Sequence, residues 1–206
     1  MRSLLCLNGA LPSSTFFDQY QHLPFVASDG AGCRLAKMGF SPQLVVGDFD
    51  SFSGQALPEC TYVRDTDQNS TDFDKCLQEM GSRQLFPTLV VGIAGGSLDH
   101  SLYALQRFTA HSATHEMLLY DEQPAYPSTW AVAVYGNRTF TLPAGCLVSF
   151  ICFTRVTVTT IGLQWNLSHA QLEPGGLCAI RNRVVDKTVS LQVLGGGLLV
   201  LVCLPT

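Results

Sequence analysis

The run Leu44-Val45-Val46-Gly47-Asp48-Phe49-Asp50-Ser51 constrains this chain more than any other. Leu44 to Val46 have the apolar, largely β-branched character of a strand buried on both faces. Gly47 then frees the backbone to turn. Asp48 and Asp50 follow two residues apart, so in an extended chain both carboxylates point to one side. Carboxylates held together at the end of a buried strand repel each other unless a cation lies between them. Hard oxygen donors of this kind suit Mg²⁺, and ligands in open α/β sheets sit beyond the carboxyl ends of the strands. Taken alone, the same residues equally describe an Asp-rich loop with Asx-type turns.

The surrounding pattern favours the sheet. Leu4–Leu7, Pro24–Ala27, Gln43–Val46, Thr61–Val63, Thr88–Ile93 and Met117–Tyr120 read as short strands. Helical segments alternate with them, which predicts a mainly parallel sheet flanked by helices. One helix runs through Leu35 and Met38 and stops at Gly39. A second starts at Ser70-Thr71-Asp72, carries Phe73, Cys76, Leu77 and Met80 on one face, and ends at Gly81. A third follows Gly95-Gly96-Ser97-Leu98-Asp99-His100, with Leu98, Leu102, Leu105 and Phe108 on one face. The spacings of three and four are those of amphipathic helices, and helix starts just after turns offer N–H groups to phosphate.

Beyond residue 123 the texture changes. Pro124 and Pro127 mark a turn region. After it come short β-rich runs: Ala131–Tyr135, Arg138–Thr141, Leu147–Phe153, Arg155–Thr159, Gly176–Arg181, Thr188–Val193 and Leu198–Cys203. Gly195-Gly196-Gly197 reads as a turn between the last two. The expected architecture is therefore α/β over residues 1–123 and an all-β sandwich over residues 124–206.

With 12 Lys and Arg against 16 Asp and Glu, and no basic run, nucleic acid is excluded as a partner. No apolar stretch has the length of a membrane span. The N-terminal residues Met1–Leu7 read as a first strand, not a signal peptide. The eight cysteines include no C-x-x-C pair and largely fall in apolar patterns, which predicts reduced thiols and the cytoplasm. The Asn-x-Ser/Thr matches at Asn69, Asn137 and Asn166 then carry no glycan. His111 and His115 lack a third ligand and read as a surface pair rather than a zinc site.

In a parallel sheet the strand ends share one edge, which gathers Asp48, Asp50, Asp72 and Asp99 around one crevice. Several carboxylates beside Gly-rich turns fit Mg²⁺ and a polyphosphate. Asn8, Asp29, Gly30, Ser51, Lys75, Gly95 and Gly96 are the candidate nucleotide contacts. No G-x-x-x-x-G-K-[ST] run exists, so this is not a P-loop. No G-x-S-x-G elbow supports a Ser-His-Asp hydrolase. His100 is read as packing against or orienting Asp99, not as a proton carrier.

Three of these stretches resemble the signatures of the thiamine pyrophosphokinase family: Gly47–Ser51, Asp67–Leu77 and Gly95–His100. They occur in the family's order and spacing, and Thr159–Leu167 is similar to its thiamine-side motif. The resemblance implies an N-terminal nucleotide domain, a C-terminal thiamine-binding β-sandwich and a homodimer with a shared active site. It implies transfer of the terminal diphosphate of ATP to the hydroxyl of thiamine, with release of AMP. Asp48, Asp50 and Asp72 would hold Mg²⁺ and the phosphates, and Asp99 would lie near the metal and the attacking hydroxyl. Trp165 would pack on thiamine from the partner subunit, with Arg181 and Asn182 nearby. The chain departs from the pattern in three places. Ser97 stands where the family has Arg. Asn69 stands where an acidic residue is common. Arg181-Asn182-Arg183 stands for Ser-Asn-Glu. A binding protein without turnover, or a diphosphotransferase for another heterocyclic alcohol, are the alternatives these departures raise.

Overall fold

A computed structural model describes residues 1–50, 57–124 and 126–204. The chain falls into two compact units, Met1–Arg107 with His115–Gln123, and Phe108–Thr114 with Pro124–Thr206.

The first unit is built on six strands: β1 (Ser3–Cys6), β2 (Phe25–Ser28), β3 (Leu44–Gly47), β4 (Thr61–Arg64), β5 (Thr88–Val91) and β6 (Met117–Gln123). Their order is β6-β5-β1-β2-β3-β4 and every pairing is parallel. All four residues of β1, β2, β3 and β5 are buried, the pattern of strands covered on both faces. Ser3, Ser28 and Thr88 are the polar side chains among them, and Ser3 pairs with Thr88. Its hydroxyl donates to Thr88 Oγ1 at 2.8 Å or to Leu85 O at 2.7 Å, which satisfies a polar group between β1 and β5.

Four helices belong to this alternation: α1 (Ser14–Asp18), α2 (Asp29–Lys37), α3 (Asp72–Ser82) and α4 (Leu98–His111). The short α1 was not expected. It is held by its aromatic pair rather than by periodicity. Phe17 is fully buried with its ring 5.8 Å from Phe25 and 5.2 Å from Phe40, and Phe16 stacks on Tyr120 at 4.3 Å. Gly81 does not end α3, which continues to Ser82. In α4 Phe108 is buried, but Leu98 and Leu102 are 74% and 54% exposed, so the expected apolar face is covered only at its C-terminal end.

The second unit is antiparallel: β7 (Tyr126–Thr141), β8 (Leu147–Cys152), β9 (Val156–Ile161), β10 (Ala170–Leu172), β11 (Asn182–Arg183) and β12 (Thr188–Cys203). The expected strand over Gly176–Arg181 is absent; the pairing there is supplied by β10 and β11 instead. The glycine triplet is not a turn. β12 runs through it as one strand paired with β7, with a register shift between Val193 and Leu198. Gly195 takes φ +87°, and a Cβ on Gly197 would overlap the Tyr135 ring, so small residues make a bulge that bends the strand. Before the bulge β12 pairs with β9, and after it with β8. One long strand thus serves both halves of the sandwich around Val148, Phe150, Val158, Leu191, Leu198 and Val200. Among the described residues, no helix is long and apolar enough to cross a membrane.

Asp74 links α3 to α4. Its Oδ2 accepts from the Thr71 N–H at 3.1 Å and from the Thr71 hydroxyl at 2.8 Å, forming a capping box. Its Oδ1 accepts from Arg107 Nε at 2.5 Å. Burial acts to raise the Asp74 pKa, but Thr71 and Arg107 together outweigh it and hold the carboxyl below its ordinary value. Replacing Asp74 by Ala removes the carboxylate half of the capping box, leaving the Thr71 hydroxyl on the main-chain N–H of residue 74, and leaves Arg107 without this partner, a loss of about 1–3 kcal/mol. Urea denaturation checks this; an unchanged midpoint would show that α3 is held by its apolar face alone.

Candidate active site

The strand order reverses between β1 and β5: the chain moves outward through β2, β3 and β4, then returns to the other side of β1. Such a switch point opens a crevice at the carboxyl ends of the strands. Here the turns after β1 and β5 meet through their backbones. Gly9 N donates to Gly92 O at 2.8 Å and Ala10 N to Ala94 O at 2.5 Å. A Cβ on Gly9 would overlap both carbonyl oxygens, so only glycine allows the β1 and β5 turns to meet. Gly95, at φ +82°, packs on Ala10 in the same way, and Gly96 lies alongside Gly9. Arg34 Nη1 donates to the carbonyls of Asn8, at 2.9 Å, and Gly9, which ties α2 to this turn.

One strand further on, the carboxylates gather. Parallel pairing sets Ser28 beside Val46, so the next residues, Asp29 and Gly47, are neighbours at the same edge. Gly47 has no side chain, and Asp29 occupies the space where its Cβ would stand. Oxygens of Asp29, Asp48 and Asp50 all lie within 4.8 Å of one another. Asp29 is 2% exposed, Asp48 half-buried and Asp50 exposed. This all-oxygen trio, graded from interior to solvent, fits a hard divalent cation such as Mg²⁺. Sequence reasoning had assigned Asp29 to the nucleotide; the β2–β3 register is the signal that places it with Asp48.

Asp72, at the start of α3, lies in the field of the same group. Burial raises its pKa, with the charges of Asp48 and Asp50 adding to the effect, while Lys75 opposes it. Lys75 is 5% exposed. Its Nζ donates to Asp65 O at 3.0 Å and lies 3.6 Å from Asp72 Oδ1. Asp48 is lowered, first by the Asp50 N–H at 3.2 Å on its Oδ1 and then by Gln68. Asp67 organises the turn before α3: it accepts from the Asn69 N–H at 3.0 Å and from Ser70.

Helix starts differ in what they offer. The start of α3 is closed by Thr71 and Asp74. At α2, Ser28 makes no side-chain cap, and Gly30 packs directly against the Asn8 side chain. The first turn of α2 thus lies beside Asn8 and carries Asp29, and a helix start favours an anion. Asp99 stands apart from the carboxylate trio. It is exposed, and its Oδ1 accepts from the Ser97 hydroxyl and from the His100 N–H at 2.8 Å, which lower its pKa in that order. His100 is exposed beside it. Ser51 lies outside the described residues.

In the β unit the three thiamine-side candidates adjoin one another. Trp165 is 60% exposed. The buried Asn182 carboxamide binds its main chain on both sides, accepting from Trp165 N at 3.2 Å and donating to Trp165 O at 2.7 Å. Arg181 is exposed at φ +57°, its N–H on Ser149 Oγ at 2.9 Å.

The comparisons with known proteins follow this division. The profile of the thiamin pyrophosphokinase catalytic domain matches residues 20–119, and that of the thiamin pyrophosphokinase vitamin B1 binding domain matches residues 139–196. Thiamine pyrophosphokinase 1 of Oryza sativa subsp. japonica is 27% identical over 169 residues, 75% of this chain and 64% of the relative. Thiamine pyrophosphokinase 2 of Arabidopsis thaliana is 28% identical over 170 residues, 74% and 62%. This chain thus spans a little under two thirds of the length of these plant relatives. The crystal structure of thiamin pyrophosphokinase from Geobacillus thermodenitrificans shares the fold, with a TM-score of 0.81, 20% identity and coverage of 100% and 99% of the two chains. Two matched profiles of one family, in the order and over the units that carry the carboxylate edge and the exposed tryptophan, establish that the chain belongs to the thiamine pyrophosphokinase family.

Proposed function

We propose that this protein transfers the terminal diphosphate of ATP to the hydroxyl of thiamine, giving thiamine diphosphate and AMP. The observation that carries the reading is the meeting of Asp29, Asp48 and Asp50, within the field of Asp72, at the edge next to an uncapped helix start. The first unit is the nucleotide-binding catalytic domain and the second binds thiamine. This matches a division at residues 1–123 and 124–206 except for Phe108–Thr114, which pack with the second unit.

The chemistry asks for positioning and charge neutralisation. The hydroxyl oxygen of thiamine attacks the β-phosphorus, the bond from that phosphorus to the α-phosphate oxygen breaks, and AMP departs with that oxygen. Mg²⁺, when bound, supplies positive charge to the polyphosphate. Asp29, Asp48, Asp50 and Asp72 are the residues that would hold it, with Asp99 on the side of the attacking hydroxyl. The α2 N–H groups, Asn8, Gly30, Gly95 and Gly96 receive the nucleotide phosphates, and Ser51 completes this set. Lys75 keeps Asp72 in place. Trp165 offers an aromatic face to the thiazolium, a cation suited to it, with Arg181 at the rim and the buried Asn182 behind the Trp165 main chain.

We also propose a homodimer with an active site shared between subunits. The exposed Leu98, Leu102 and Tyr103 on α4 support it, since an apolar stripe of this kind marks a contact surface. The eight free cysteines support a reducing, cytoplasmic setting.

The direct test is AMP release by the full chain with ATP, Mg²⁺ and thiamine. Turnover is expected with thiamine. AMP only with another heterocyclic alcohol, or nucleotide binding with no AMP, would replace this reading by one of the two alternatives. Asp72→Asn is expected to lower kcat about 100-fold or more in a chain that still melts cooperatively; activity close to that of the parent would remove Asp72 from the machinery. Light scattering checks the assembly: twice the chain mass is expected, shifted towards monomer by Leu102→Glu. A parent protein that is monomeric at assay concentrations would rule the dimer out.

A further inference from the structure

The segment between β9 and β10 carries a large apolar side chain in water on a backbone that is fixed almost everywhere. Gly162, at φ +92°, packs so closely on Thr188 O that a Cβ would overlap it. Leu163 bridges to Val184, and Gln164 N donates to Arg183 O at 2.8 Å. Asn166 Oδ1 accepts from Leu163 N at 3.1 Å. Leu167 and Thr160 close the loop, Thr160 N to Leu167 O and Leu167 N to Thr160 Oγ1, each at 2.9 Å. Between these anchors stands Trp165, its main chain gripped on both sides by the Asn182 carboxamide and its side chain exposed.

Asn182 itself is 7% exposed. Its Oδ1 accepts from Trp165 N and, at 2.8 Å, from Arg183 N, while its Nδ2 donates to Trp165 O. An amide offers two acceptor positions and two donors. Both acceptor positions and one donor are therefore committed to main chain, which leaves the group turned towards the loop. A rigid aromatic surface loses little conformational freedom when a ligand covers it, and that saving appears as affinity.

We infer that Asn182 is a positioning residue: it acts through the main chain of Trp165 to hold the indole as a preformed platform for a flat heterocyclic cation. This rests on the assignment of thiamine to the β unit. It makes Asn182 a determinant of thiamine affinity without contact between its amide and the substrate. Asp in its place keeps the size and the acceptors but sets a carboxylate oxygen against Trp165 O, where the Nδ2 donor stood.

The test is a cycle of Asn182→Asp, Trp165→Ala and the double variant in the full chain, with steady-state kinetics in ATP, Mg²⁺ and thiamine. Asn182→Asp should raise KM for thiamine about tenfold, the size of a lost hydrogen bond to a fixed group, while kcat and KM for ATP stay as they were. In the Trp165→Ala background the same change should add less than about twofold, since interacting residues are not additive. An unchanged thiamine KM in Asn182→Asp, or the full rise repeated without Trp165, overturns the inference and leaves the thiamine assignment standing. If Trp165→Ala itself leaves KM for thiamine unchanged, the assignment fails and takes the inference with it. Should Asn182→Asp not fold, amide exchange in the parent protein decides. A Trp165 N–H protected before thiamine is added supports a preformed platform, and one that becomes protected only with thiamine overturns it.

Discussion

Mutual repulsion among acidic side chains at one sheet edge is the constraint around which the first unit is arranged. Asp29, Asp48 and Asp50 are brought together by β2 and β3, and Asp72 by the start of α3. Nothing in folding favours such a group by itself; each added carboxylate makes the next harder to ionise. The strands that carry it are accordingly the most buried of the unit, with no exposed residue in β1, β2, β3 or β5. Apolar burial along the strands holds in place a charge distribution that their ends would otherwise push apart. Lys75 is the one buried cation set against it, fixed to Asp65 O and beside Asp72.

The β unit meets a different difficulty. Its exposed tryptophan gains nothing from water, and a mobile loop would let it collapse onto the surface. The backbone is tied down at Thr160, Gly162, Leu163, Gln164 and Leu167, with Asn182 inserted as a side-chain substitute for strand pairing at Trp165. The short β11 begins at this same asparagine, so one residue joins the sandwich edge and the aromatic loop. In both units the reactive or binding group is costly in isolation, and a rigid frame built from ordinary pairing keeps it in place.

Much of this frame was legible from residue order. Buried strands announce themselves as short β-branched runs, and their alternation with helices fixes a parallel sheet. The carboxyl ends then follow without further information. What the chain hides is pairing at a distance. The glycine triplet in β12 reads as a turn because glycine ends strands more often than it bends them; only the long partner β7 makes a bulge of it. The two-residue β11 and three-residue β10 have no apolar alternation to betray them. α1 is too short to show a period and exists because Phe16 and Phe17 find aromatic partners. The closeness of Asp29 to Asp48 and Asp50 is likewise carried by the register of β2 on β3, which puts Asp29 beside Gly47.

The departures from the family pattern acquire a physical meaning in this frame. Ser97 stands where the resemblance expects an arginine, and its hydroxyl is used on Asp99. Two of the cations near this edge are engaged elsewhere. Arg34 holds the carbonyls of Asn8 and Gly9, and Lys75 holds Asp65 and Asp72. Moving either towards a phosphate would release the turn at the switch point or leave Asp72 with less compensation at the most crowded part of the edge. Arg64, the last residue of β4 and in register with Gly47, is a cation that remains at this edge. A serine at position 97 thus adds a hydrogen bond on Asp99 where the resemblance expects a charge.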